Sequence, residues 1–204
     1  MVPSNERHPS WVRWAPEAVM NGELPGLPSS NPPSGLWFPV ARSFIPESGV
    51  AYLLELYLDP EPESDCTVKY DIHHFVARTD GTWKWSSAGG ADWKFGVSSP
   101  PVGSGIWFQG SGVGDQNGGG LFATPGFAGE RVKTIQIAST LGTSLAEVDQ
   151  KTGAFLIVAL ADEPVTLVTL DDESNEIERI DGPKFWDVCH TIEPLPQSPA
   201  EWAS

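Results

Sequence analysis

The run Phe155-Leu-Ile-Val-Ala-Leu-Ala-Asp-Glu-Pro-Val-Thr-Leu-Val-Thr-Leu170 constrains the fold more than any other stretch of the chain. Before Pro164 its apolar residues fill odd and even positions alike, so a strand here must be covered on both faces, as at the centre of a two-layer sheet. A helix would have to run past Gly153 and Pro164 and carry many β-branched residues, which lose rotamer freedom against the preceding turn. Asp149-Gln-Lys-Thr-Gly153 ahead of it is turn chemistry with Gly where positive φ is tolerated, and Asp162-Glu-Pro164 punctuates it again. The feature dictates a β architecture and leaves function open.

Composition narrows the classes. A chain of 204 residues fits one large domain, or one domain with an extension. Hydrophobic residues at 40% and nine Trp predict a globular core. No run reaches the ~18 apolar residues of a membrane span. The first residues, Met1 to His8, contain no apolar signal region, so a cytoplasmic location is expected. Cys66 and Cys189 have no metal-ligand spacing and read as two buried thiols. Formal charge is 12 − 27 = −15. Such a chain repels phosphate backbones and anionic lipids, which argues against nucleic-acid or membrane partners and favours a basic one. An acidic surface also keeps a protein dispersed whatever it binds.

Residues 1–48 carry Pro at 3, 9, 16, 25, 28, 32, 33, 39 and 46, a density that regular helices and central strands do not accept. Trp11, Trp14, Trp37, Phe38 and Phe44 are costly to leave in water, so this segment is expected as an extended arm packed on the domain, with one short helix at Pro16–Met20. A single antiparallel domain is expected over 49–193, with an irregular tail over 194–204. From Val50 to Leu58 one parity is apolar and Glu55 lies opposite, predicting a strand packed mainly on one side. Cys66–Ala77 alternates and runs into Asp80-Gly81, the signature of a two-residue type I′ hairpin. That turn would set Thr79 opposite Thr82 and Val76 opposite Trp85, placing Trp83 and Trp85 on the face of Val68, Tyr70 and Ile72. Residues 86–126 hold Gly at 89, 90, 96, 103, 105, 110, 112, 114, 118, 119, 120 and 126 and are expected as a long glycine-rich loop. Lys133–Ile137 alternates as a strand, and Val165–Leu170 pairs through a polar turn with Ile177–Ile180.

The fold class expected is all-β, an antiparallel β-sandwich, with a β-barrel as the alternative. Motifs that carry chemistry are sparse. Gly110-Ser-Gly-Val-Gly114 lacks the helix that a phosphate-binding loop aims at its ligand. Asp115-Gln-Asn117 offers oxygen ligands, but Gly126 stands where an EF-hand places its bidentate Glu, so no metal is expected. Gly142-Thr-Ser144-Leu-Ala146 lacks the strand-turn-helix context of a nucleophile elbow and reads as a loop. His73 and His74 are adjacent and point to opposite sheet faces, so they cannot share one ion.

Two function classes follow. The first is a non-catalytic, cofactor-free binding protein that engages another protein or a small ligand through its glycine-rich and acidic loops, with Trp93, Trp107, Asp115 and Asn117 as contacts. The second is a small β-barrel enzyme or carrier with a pocket of Tyr70, His74, Trp83 and Trp85, in which His74 is the sole acid/base candidate.

Overall fold

A computed structural model describes residues 20–21, 37–45, 48–58, 68–93, 103–108, 113–114, 120–160 and 163–182, with backbone alone at 58, 68, 91–93, 107–108, 113–114 and 182. Twelve strands follow in order: β1 Trp37–Ile45, β2 Val50–Leu58, β3 Val68–Ala77, β4 Trp83–Trp93, β5 Ile106–Phe108, β6 Val113–Gly114, β7 Leu121–Ala128, β8 Thr134–Ser139, β9 Gly142–Glu147, β10 Ala154–Leu160, β11 Val165–Leu170 and β12 Glu176–Gly182. They form three antiparallel sheets: a front sheet in the order β1-β2-β3-β4, a middle sheet β10-β7-β5 with β6 also on β7, and a back sheet β12-β11-β8-β9. The fold is an open β-sandwich; none of these sheets closes into the barrel held as the alternative. Among the described residues no helix is long and apolar enough to cross a membrane.

The middle sheet lies between the other two, and β10 shows how. Ala154, Leu156 and Val158 join Tyr52, Leu54, Leu56, Tyr70 and Ile72 in one core. Phe155, Ile157 and Ala159 join Ile135, Ile137, Val165 and Leu167 in the other. The run is covered on both faces, as its unbroken apolar character requires. In hydrogen-bond order, however, β10 ends its sheet, pairing with β7 alone among the described strands. The turn before it is built as its residues dictate. The Asp149 carboxylate accepts from the Thr152 backbone N–H (3.0 Å) and hydroxyl (2.7 Å), and Gly153 takes φ 73°.

Prolines mark where pairing breaks. Pro39 sits at the register shift of edge strand β1. On β7, β6 pairs Phe122 and Ala123 while β5 pairs Gly126 to Ala128, so Pro125, which has no N–H to give, falls in the gap between them. The expected long glycine-rich loop is narrowed, because its described residues include most of β4 and all of β5 and β6, with the start of β7. Gly90 serves close approach rather than a turn, since a Cβ there would lie 2.0 Å from the Tyr70 carbonyl oxygen. Gly142 to Glu147, expected as a loop, is edge strand β9.

The β3–β4 hairpin corrects the expected register. Arg78 N–H bonds to Thr82 O (2.7 Å) and Gly81 N–H to Arg78 O (3.0 Å), so the loop holds three residues, Thr79-Asp80-Gly81, with Gly81 at φ 82°. One added loop residue shifts pairing by one, and period-two alternation then moves each side chain to the other face. Ala77 opposes Trp83 and Phe75 opposes Trp85, and a bulge between His74 and Phe75 brings His74 opposite Ser87. Trp83 and Trp85 accordingly pack with Met20, Ala51, Leu53 and Phe75 on the outer face, away from Tyr70 and Ile72. The front sheet is therefore buried on both faces, and β2, expected to pack mainly on one side, buries Ala51 to Leu56 entirely.

Of the arm, Met20 covers this outer face, held where Arg42 Nη1 donates to its carbonyl (3.0 Å), and Trp37–Ile45 is the edge strand β1. Residues 1–19 and 22–36, with most of the helix expected at Pro16–Met20, the tail over 194–204, and Cys66 and Cys189 lie outside the described residues.

Candidate functional site

Ionisable groups inside the front sheet come first, because burial of such groups demands a reason. Glu55 and His73 are both 0% exposed and lie diagonally on one face of the sheet, Glu55 opposite Asp71 and His73 opposite Leu53. His73 Nε2 lies 2.8 Å from Glu55 Oε2, and Trp85 Nε1 donates to His73 Nδ1 at 3.1 Å. An indole N–H only donates, so Nδ1 must be the bare acceptor and the ring proton sits on Nε2, donated to the carboxylate. Both ring nitrogens are thereby occupied by protein groups. The arrangement resembles a nucleophile-activating relay only in composition, since no imidazole nitrogen remains to take a substrate's proton. It is a structural polar network that the corrected hairpin register makes possible.

His74 points the other way, into the core between front and middle sheets. It is 1% exposed and its ring stacks on Tyr52, with centroids 5.0 Å apart and planes at 23°. The expected pocket of Tyr70, His74, Trp83 and Trp85 is not assembled, because the first two line the inner face and the tryptophans the outer one. A buried His74 stacked under Tyr52 meets no substrate from solvent in this conformation. Of the expected binding residues, Trp93 ends β4 opposite Val68 and Trp107 lies on β5 opposite Phe127. Their side chains, and Asp115 and Asn117 altogether, fall outside the described residues. Among the described residues no three His, Cys, Asp or Glu side chains gather as metal ligands.

The opening that the sequence reading missed is elsewhere. Where the middle sheet ends at β10, edge strands β1 and β9 come round it, and between them lies a groove of about 890 Å³. This is within the range of ligand-binding clefts. Arg42, Ser43 and Phe44 of β1 form one wall; Ser144, Leu145 and Glu147 of β9 form the other; Asp149 and Gln150 close the end. Phe44, whose ring lies 6.0 Å from that of Trp83, is 36% exposed, and Leu145 on β9 is 65% exposed. Arg42 lies toward the outer face of the front sheet, its guanidinium 5.5 Å over the Phe44 ring and bonded to the Met20 carbonyl. Gln150 is fixed by Lys133 Nζ and by its own bond to Val148 O (2.7 Å). Glu147 is exposed and makes no ion pair among the described residues. The groove is thus lined by polar and apolar groups alike, with the exposed Glu147 carboxylate at one lip.

Phe44 was legible as an apolar residue of the arm and Leu145 as part of a supposed loop. That both line one groove brings together strands about a hundred residues apart and has no local signal. Compared with known protein families, with curated proteins and with solved structures, the chain matches none.

Proposed function

We propose that the protein is a non-catalytic binding protein that holds an extended segment of another protein in the groove between β1 and β9. The observation that carries this reading is an open groove flanked by two edge strands, with the exposed Phe44 and Leu145 among the residues that line it. Exposed apolar residues at the rims of a cleft are what a docked chain covers, and edge strands supply the backbone donors and acceptors that an extended chain needs. The buried histidines favour binding over acid/base catalysis, because His73 has both nitrogens bonded and His74 is enclosed. The acidic loops first considered as contacts remain additional surface for the same partner.

The test is selection of peptides from a random displayed library on the wild-type protein, followed by affinity measurement on Leu145→Ser and Phe44→Ser variants. Enriched peptides that lose about tenfold or more in affinity on each variant support the reading, in line with apolar anchors worth over 1 kcal/mol at an interface centre. Peptides that bind all three proteins equally, or no enrichment, overturn it.

A further inference from the structure

The back sheet has two edges, and they are finished differently. At one, β12 presents Glu176, Glu178, Arg179 and Asp181 to solvent, with Arg179 bonded to Glu176 at 2.6 and 3.1 Å. Such a row of charges is how sheets discourage unwanted pairing. At the other, β9 reads Gly-Thr-Ser-Leu-Ala-Glu with no proline and no basic residue, and it pairs only with β8 among the described strands. Leu145 lies mid-strand at 65% exposure, and Leu141, at 40%, precedes the strand. Among the described residues, one edge carries a row of charges and the other, beside a groove, carries an exposed Leu145 and one carboxylate, the character of an edge open to pairing.

The charge of the molecule selects the partner. Two copies meeting edge to edge would bring together −15 and −15, with the exposed Glu147 carboxylates at the junction, and that disfavours a second copy. A cationic chain gains from the same field, and within roughly 8 Å, the screening length at physiological salt, it gains most from Glu147 itself. Building on the groove reading above, we infer that β9 is extended by a basic strand: a lysine- or arginine-bearing segment of another protein that adds to the back sheet, with alternate apolar side chains entering the groove beside Phe44.

Three synthetic ten-residue peptides test this on the full-length protein: alternating Val and Lys, alternating Val and Glu, and the Val/Lys peptide N-methylated at alternate residues to remove backbone donors. Binding is followed by fluorescence anisotropy and backbone protection by hydrogen exchange. The Val/Lys peptide is expected to bind and slow exchange across 142–147, the Val/Glu peptide to bind at least about tenfold more weakly, and the N-methylated peptide to lose about tenfold or more. Glu147→Lys should weaken the Val/Lys peptide about threefold to tenfold, and added salt should narrow that difference. Equal binding of the Val/Lys and Val/Glu peptides overturns the basic partner. Binding that depends on Leu145 and Phe44 but survives N-methylation, or leaves 142–147 unprotected, overturns strand addition while the groove reading stands. Leu145-dependent dimerisation in analytical ultracentrifugation would replace the foreign segment by a second copy. Failure of all three peptides, with no library peptide dependent on Phe44 and Leu145, would sink both readings together.

Discussion

His73 and His74 are neighbours on one strand, yet they occupy two different environments. On the outer face His73 is bonded on both sides, to Glu55 and Trp85, under the cover of Met20. On the inner face His74 lies flat against Tyr52 within a largely hydrocarbon core. The difference teaches that burial alone does not define a histidine's part in a fold. The outer one is held by directional bonds that a substitution leaves broken, and the inner one stacks on a ring that another flat side chain can also meet.

The sharpest way to break this comparison is to replace each histidine by an apolar residue. His73→Leu removes the donor facing a carboxylate that is 0% exposed, and should cost about 3 kcal/mol or more in urea denaturation. His74→Phe keeps a ring against Tyr52 and should cost about 1.5 kcal/mol or less. Equal losses would mean that the two faces are held in the same way.

A smaller effect should come from the loop that decides which histidine meets Trp85. Gly81 has φ 82° and open space where a Cβ would go, so Gly81→Ala meets backbone strain and no clash. A loss of about 1 to 2 kcal/mol is expected. An unchanged midpoint would show that packing of Trp83 and Trp85, rather than the loop, sets the register.

The smallest effect concerns Asp80 in the same loop. Hydrogen bonds from the Thr82 hydroxyl (2.7 Å) and backbone N–H (3.0 Å) hold its carboxyl below the usual 3.8. A carboxylate whose folded value is lowered contributes stability above the unfolded value and loses it as pH falls through the folded one. The stability difference between wild type and Asp80→Ala should therefore be present at neutral pH and vanish on acidification below 3.8. A difference that persists at lower pH would assign the effect to loop shape rather than to charge.

The architecture was legible where the chain is strongly patterned. The unbroken apolar run at Phe155, the turn at Asp149 to Gly153 and the hairpin of β11 and β12 all lie where their residues place them. What failed was parity and distance. Asp-Gly serves a two-residue loop and a three-residue loop alike, since both need Gly at positive φ, and one residue of difference exchanged the faces of Trp83 and Trp85. Glu55 looked like a solvent-facing residue because its partner stands eighteen positions away, on a neighbouring strand. Strand β9 escaped notice because Thr, Ser and Ala give little contrast between faces, so its alternation becomes visible only once Ala146 is seen buried and Leu145 exposed.

One strand carries a consequence for how the molecule comes apart. Because β10 contributes alternate side chains to both cores, neither core can open at that strand without exposing residues of the other. The two halves of the sandwich are then one cooperative unit rather than two foldons. Its formation also waits on contacts between β1 and β10, segments more than a hundred residues apart. Long-range closure of that kind slows folding, and a nascent chain gains neither completed core until Ala154 to Leu160 has been made.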